Sequence, residues 1–370
     1  MSRLAWRNLF QNRIRLVISI GGATLALLLI LSLDAIFAGV EQRITVYIDN
    51  SGADIFVAQE DVRNMHMASS TLPDAVRRKV RAVPGVAAVT PIDYLSNMIL
   101  VGADRNLAYV IGLPEDAEFG GPWKISAGRS RPRKGEAVID LNVAEKSGVG
   151  LGDSVEILGE DFEIVGLSEE TSSLVNSVAF ISMKDFEELR GSYETFSFLL
   201  VQASPGESPD VVAARIQSDV RDVTTQTRLE FAGQERKVVN DMSTDVITIM
   251  NLIGFLIGLA VMALTVYTAT LARRAEYGVL KALGARNGQL YRTVLMQAMI
   301  SVGLGFGIGM MVTLALSAIV PRLGLSMVME VRSASLVKVG TLSLVLGGIA
   351  AILPIRQIAG LDPAMVFRGR

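Results

Sequence analysis

The residues best suited to chemistry in this chain are carboxylates in adjacent pairs, Glu160–Asp161, Glu169–Glu170 and Glu187–Glu188. A hydrolytic dyad needs two carboxylates converging on one substrate. Neighbours in a strand point to opposite faces, and neighbours in a helix diverge by about 100°. The pairs therefore read as solvated surface. Met65, His66 and Met67 bring thioether and imidazole together, a ligand set suited to copper. A single histidine in a loop does not make such a site. Asp34 sits in an apolar run, where a carboxylate can serve a proton relay; its place near the outer end of that run reads instead as a solvated or stalk-bound group. The chain has no cysteine, which removes disulfides, zinc–thiolate sites and thiol nucleophiles. No G-x-x-x-x-G-K-[ST] phosphate loop occurs in it. No catalytic residue, no metal and no cofactor of its own is expected, and the chain does not read as an enzyme.

A different kind of signal lies in RRAEYGVLKALGARNGQL, Arg273 to Leu290. This stretch is polar and basic between two long apolar segments, and unpaired charges there cannot lie in hydrocarbon. Val279, Leu280 and Leu283 recur at helical spacing, and Gly284 is a helix stop. The pattern predicts a short amphipathic helix across the membrane face, over 273–290, anchored by Arg273 and Arg274. For these cations alone, topological anchoring is the simpler account.

The elements around it follow from hydropathy and charge. Half of the 370 residues are hydrophobic and the mean hydropathy is +0.42. Before residue 35 and after residue 245 stand 15 of the 35 basic residues and four of the 37 acidic ones. The middle keeps 20 basic and 33 acidic residues, a net of −13. Such partition implies two compartments and excludes a nucleic-acid partner for the acidic middle. Residues 1–15 are expected to form an amphipathic cytoplasmic segment, with Leu4, Trp6, Leu9 and Phe10 suited to the headgroup region. The run from Leu16 to Phe37 matches the ~20 residues of a spanning helix and lacks a cleavage site. Further spans are expected at Val246–Ala272, 293–320 and 336–354, followed by a cytoplasmic tail over 355–370. With four spans, most basic residues fall on one side, which places both termini in the cytoplasm.

Two spans exceed a ~30 Å hydrocarbon core. The first continues helically to about residue 48, and the second begins near Arg236. The surplus predicts stalks, 16–48 and 236–272 counted with their spans. Gly254 with Gly258, Gly303 with Gly307, and Gly305 with Gly309 give G-x-x-x-G spacings, read as close helix packing.

Between the stalks, residues 49–235 predict an α/β domain. Strand 53–58, helix 72–83 and strand 86–95 are echoed by strand 197–203, helix 208–220 and strand 224–229. The insert between them, about 98–192, is rich in short strands and glycine turns. The expected fold is a polytopic α-helical membrane protein with four transmembrane helices and a large extracytoplasmic α/β domain between helices 1 and 2. That domain has two strand–helix–strand units and a β-rich insert.

Taken together, these motifs resemble the permeases of the MacB/FtsX-like, or type VII, ABC transporter superfamily. EYGVLKALGA (276–285) is similar to the family's cytoplasmic signature, and GLDPAMVFR (360–368) to its C-terminal DP-A motif. LAWRNLFQNRIR and LGDSVEILGEDFEIVGL also match. SGADIFVAQ and NMHMASSTLP are similar to segments of DevC-like exporter permeases.

The resemblance implies a dimer of permeases, a homodimer or a pair with a paralogue, engaged by two copies of a cytoplasmic ATP-binding subunit that holds ATP and Mg. It implies an ATPase contact at Glu276, Gly278, Leu280, Lys281, Leu283, Gly284 and Ala285, flanked by Arg273 and Arg274. Asp362 and Pro363 would cap a terminal helix on the same face. ATP-driven closure would be transmitted to the outer domain rather than open a channel, to extract or export an amphiphile such as a lipid, lipoprotein, peptide or drug. The location implied is the bacterial inner membrane. Systems with and without a periplasmic membrane-fusion adaptor and outer-membrane duct both fit. The alternative is an FtsX-like regulatory subunit that activates a periplasmic or cell-wall partner.

Overall fold

The computed structural model describes residues 13–65, 69–172, 177–320 and 329–360. The elements begin with α1 (Arg13–Ile44), α2 (Val46–Asn50), β1 (Ile55–Gln59), β2 (Leu72–Pro73), α3 (Asp74–Arg81), β3 (Val86–Val101) and β4 (Asp104–Leu113). There follow β5 (Ile125–Gly128), β6 (Glu136–Asp140), α4 (Leu141–Ser147), β7 (Ser154–Ile157), β8 (Glu160–Ser168), β9 (Ser177–Ser182) and α5 (Met183–Arg190). The series ends with β10 (Thr195–Phe196), β11 (Phe198–Ala203), α6 (Pro209–Asp219), β12 (Val223–Thr227), α7 (Arg228–Ala272), α8 (Arg274–Ala282), α9 (Asn287–Ile319), α10 (Ser333–Ala350) and α11 (Ile352–Ala359). They group into two compact units, one built on residues 40–242 and one on the flanking segments.

In the unit of residues 40–242, β1, β3, β11 and β12 form an antiparallel sheet in the order β12-β1-β11-β3. The two strand–helix–strand units thus interleave their strands. Helices α3 and α6 cover one face, where Val80, Val212 and Ile216 pack on Ile55, Val57, Leu199 and Val201. Strand β3 runs to Val101, beyond the expected stop at Leu95, because its second half has new partners: Asp93–Val101 pair with β4 and Ile99–Val101 with β7. Those pairings close on themselves through β4, β9, β6, β8 and β7 back to β3. The β-rich insert is therefore a six-stranded barrel that borrows one strand from the sheet. Its interior holds alternate residues of the ring, among them Val101, Val110, Ile139, Ile157, Phe162 and Ile181, as the two-residue period of a strand requires.

The acidic pairs lie on this unit's surface, as expected. Lys124 bridges Glu169 at 2.7 Å and Glu170 at 2.8 Å, and Lys134 meets Glu188 at 2.6 Å.

Among the described residues, four helices are long and apolar enough to cross a membrane: Ile20–Ile44, Thr244–Ala272, Asn287–Ile319 and Ser333–Ala359. In the unit that contains them, Ala23, Leu27, Ile30 and Leu31 of α1 share a core with Met262, Val294, Val302, Val339 and Leu346. The glycines divide in their roles. A Cβ on Gly305 would meet Ala23 Cβ at 2.8 Å and Thr24 N at 3.0 Å, and one on Gly258 would meet Ala26 Cβ at 2.7 Å. An added Cβ would come within 3.1 Å of Ile30 Cγ1 at Gly254 and within 3.4 Å of Leu28 N at Gly309. These are close helix contacts of the small-residue kind. Gly303 and Gly307 face open space, with nothing within 4 Å, so the packing expected of that pair is not made within this chain. Asp34 pairs with Lys338 Nζ at 3.2 Å, its carboxylate part-exposed and the lysine exposed. Pairing is the usual state of charges on spanning helices.

Several boundaries differ from the sequence reading. Helix α7 starts at Arg228 rather than near Arg236, because Thr227 caps it: its hydroxyl and amide both reach Glu230 Oε2, at 3.0 and 2.9 Å. The third apolar helix begins at Asn287, not 293, where Gln289 Oε1 reaches back to the Arg286 amide at 3.1 Å. Residues 1–12, with the proposed amphipathic segment, lie outside the described residues, as do His66, Met67, Asp362 and Pro363.

Candidate functional site

The helix expected over 273–290 is the nine-residue α8, Arg274–Ala282. Its end follows from two backbone hydrogen bonds, Ala285 N–H to Leu280 O at 2.9 Å and Gly284 N–H to Lys281 O at 3.0 Å. This nested pair is a Schellman stop. It needs a left-handed residue, and Gly284 supplies it with φ of 93°. Ala285 and Leu280 then pack on the same core, as the motif's apolar contact requires.

The helix has two faces. Tyr277 (2% exposed) and Gly278 are buried, and Leu280 and Ala285 are half-buried against the core of the helical unit. Burial pushes the Tyr277 hydroxyl's pKa up, opposed by the Arg273 guanidinium and reinforced by the Glu276 carboxylate. Lys281 turns to the last helix, its ammonium donating to Ile358 O at 3.3 Å and Ala359 O at 3.2 Å. A cation there satisfies orphan carbonyls and complements the helix dipole. On the opposite side Arg274, Glu276 and Gly284 are exposed, Glu276 within 3.6 Å of Arg273 Nη1. Two apolar side chains stand among them: Leu283 is 79% exposed and Val279 43%.

Of the nine residues singled out from sequence, four therefore face outward: Arg274, Glu276, Leu283 and Gly284. Gly278, Leu280, Lys281 and Ala285 hold the helix in place, and Arg273 is the half-buried residue at its N-cap. Val279, absent from that set, joins Leu283 at i, i+4 to form the exposed apolar edge. The spacing alone carried that signal, since two residues four apart share a helix face. The arrangement offers a compact surface with an apolar edge and an acid–base rim. Among the described residues it brings together no nucleophile, base or oxyanion donors.

At the other end of α7 the chain is fastened into the core of residues 40–242. Phe231 stacks on Phe56 at 4.7 Å, and Tyr47, Ile48, Phe231 and Ala232 are buried together. Arg236 Nη2 donates to Thr45 Oγ1 and to Asp49 Oδ2, both at 3.2 Å, and Asn240 donates to Glu41 at 3.1 Å. These contacts clamp the outer ends of the two stalk helices to each other. Glu235 is buried at 1% exposure, and its Oε2 accepts the Met65 amide at 2.8 Å. Desolvation pushes its pKa up to about 7, partly offset by that hydrogen bond.

Residues 16–219 match the model of the MacB-like periplasmic core domain, and residues 248–363 that of the FtsX-like permease C-terminal region. An uncharacterized ABC transporter permease of Mycobacterium tuberculosis is 22% identical over 368 residues, 99% of each chain. A second permease of that organism is 25% identical over 373 residues, again 99% of each. The macrolide export ATP-binding/permease protein MacB of Hahella chejuensis is 23% identical over 391 residues, 98% of this chain and 59% of that protein. The periplasmic region of MacB from Actinobacillus actinomycetemcomitans shares 14% identity at a TM-score of 0.38, covering 50% of this chain and 93% of that one.

Proposed function

Because this chain belongs to the MacB/FtsX-like family of ABC transporter permeases, a multi-pass membrane family that works with an ATP-binding subunit, we propose that it is a mechanical transmission. ATP and Mg bind a separate cytoplasmic subunit, one on each permease of a homodimer. Closure of the two ATPases pushes on the outward face of α8, at Glu276, Val279 and Leu283. The stroke passes along α1 and α7 to residues 40–242, which lie in the periplasm, while both termini stay in the cytoplasm. The work extracts or exports an amphiphile from the outer face of the inner membrane.

The observation that carries this reading is α7 itself. It is one helix of 45 residues, about 67 Å at 1.5 Å per residue. One end has Phe231 in the core of the outer unit, and the other stops a single residue before α8. A continuous helix gripped at its far end transmits displacement, whereas a flexible linker would dissipate it. An α/β outer unit with a barrel insert supports the export branch over the regulatory alternative.

The test is to interrupt the rod. Two glycines inserted after Asp241, in a chain reconstituted with its ATPase in lipid nanodiscs, are expected to leave basal hydrolysis intact. They should abolish its stimulation by candidate amphiphiles and the release of those amphiphiles. Undiminished release from the interrupted chain would refute transmission through α7. Single cysteines between residues 60 and 230, in a chain that otherwise has none, are expected to react with impermeant maleimide in intact cells.

A further inference from the structure

Where α2 ends, the chain turns through Asn50, Ser51 and Gly52 against the loop that joins β4 to β5. Between them and Ser130–Pro132 lies a cavity of about 330 Å³, within the ~300–1,000 Å³ range of small-molecule sites. Its carbon walls come from Leu113, Phe119, Trp123 and Pro132. The two sides are bonded to each other. Tyr47's hydroxyl donates to Gly120 O at 2.9 Å, and the Gly120 amide donates to Ser51 O at 2.8 Å. Gly120 cannot be replaced cheaply, having φ of 93° and Leu200 Cδ1 at 2.7 Å from any added Cβ. The cavity is thus a built feature at the exit of the first stalk helix.

One cation in its lining has no partner among the described residues. Trp123 presents its ring to the cavity, its Nε1 being buried behind that wall. Arg131 is exposed and makes no hydrogen bond or ion pair among the described residues. Its neighbour Arg129, by contrast, is bound to Glu136 at 2.7 Å. The lining also contains one carboxylate, Glu118, which shares a second cleft with Arg77 and Arg81. Aromatic walls and one uncommitted guanidinium select an anion with an apolar body. A single Arg suits the unit charge and planar fork of a carboxylate.

We propose that this cavity binds an apolar-bodied monocarboxylate, its head on Arg131 and its chain against Phe119 and Trp123. At ~30 Å³ for each water-sized group, the space takes about ten heavy atoms, the size of octanoate. Because Ser51 and Gly120 join the cavity to the stalk exit, movement of α2 alters its shape. The inference rests on the export reading only in taking the occupant for an amphiphile; binding itself is read without ATP or the ATPase. Its failure would leave the transmission test untouched, and the reverse holds as well.

The experiment is photolabelling of the full chain in nanodiscs with an eight-carbon carboxylic acid carrying a terminal diazirine, followed by peptide mapping. Label is expected on residues 113–123, displaced by excess octanoate but not by octanol. Arg131→Ala, at an exposed position that the fold does not use, should lower labelling about tenfold, the loss of a charge-assisted hydrogen bond. Label confined to the apolar helices, equal displacement by octanol, or Arg131→Ala labelling as the parent does would each overturn the proposal.

Discussion

Glu235→Gln is expected to stabilise residues 40–242 above neutral pH and to remove a pH dependence that the parent chain shows. The carboxyl is buried on α7 among Phe231, Ala232 and Met65, and desolvation raises its pKa from 4.5 to about 7. The folded state therefore holds the proton more tightly than the unfolded chain. Stability from this group is fully present below about pH 4.5, falls as pH rises through 7, and is flat above. A rise of that size corresponds to about 3 kcal/mol at ~1.4 kcal/mol per pH unit. Glutamine has the same shape and keeps an oxygen for the Met65 amide, now at 2.8 Å from Oε2, without a charge to desolvate. The variant should gain roughly 3 kcal/mol over the parent at pH 8 and nearly nothing at pH 4.5. The assay is denaturant unfolding of the full chain in nanodiscs in a Trp6→Phe background, where Trp123 is the remaining tryptophan and reports this unit. A difference that stays constant from pH 5 to 8, or a Gln variant weaker at pH 8, would show that the buried carboxyl is not desolvated as argued.

Leu283→Asp places a charge on the exposed apolar edge and should leave thermal stability within ~0.5 kcal/mol while cutting ATPase association in a pull-down. Leu280→Asp, on the packed face, should instead lower stability by about 2–4 kcal/mol; indistinguishable effects of the two would contradict the assigned faces. Gly305→Val should cost about 1–3 kcal/mol or more through contact with Ala23 and Thr24. Gly303→Val, facing open space, should be tolerated in the isolated chain, and detergent melting curves separate the two. Lys281→Met removes the ammonium from the Ile358 and Ala359 carbonyls. It should weaken the end of the last helix by about 0.5–1 kcal/mol, seen as faster amide exchange over 352–359.

The four apolar helices, the acidic domain between the first two, and the helix-and-stop at Gly284 were legible in the chain because each is a local matter. Hydropathy over ~20 residues, charge partition and a left-handed glycine report themselves without knowledge of distant neighbours. The interleaved sheet units were half legible: strand and helix periods marked the elements, and nothing in them gave the order β12-β1-β11-β3. The extension of β3 into a closed barrel, the Asp34–Lys338 pair and the burial of Glu235 depend on partners as much as 304 residues away. The same holds for α8. Its spacing predicted a helix with an apolar face, but EYGVLKALGA contains more apolar and small residues than one face can hold. Which of them turn inward was decided by the core of Leu290, Val294 and Ile358 that Tyr277 joins, and by the carbonyls that Lys281 reaches. Local spacing determines which residues share a face; long-range packing determines which face is left for a partner.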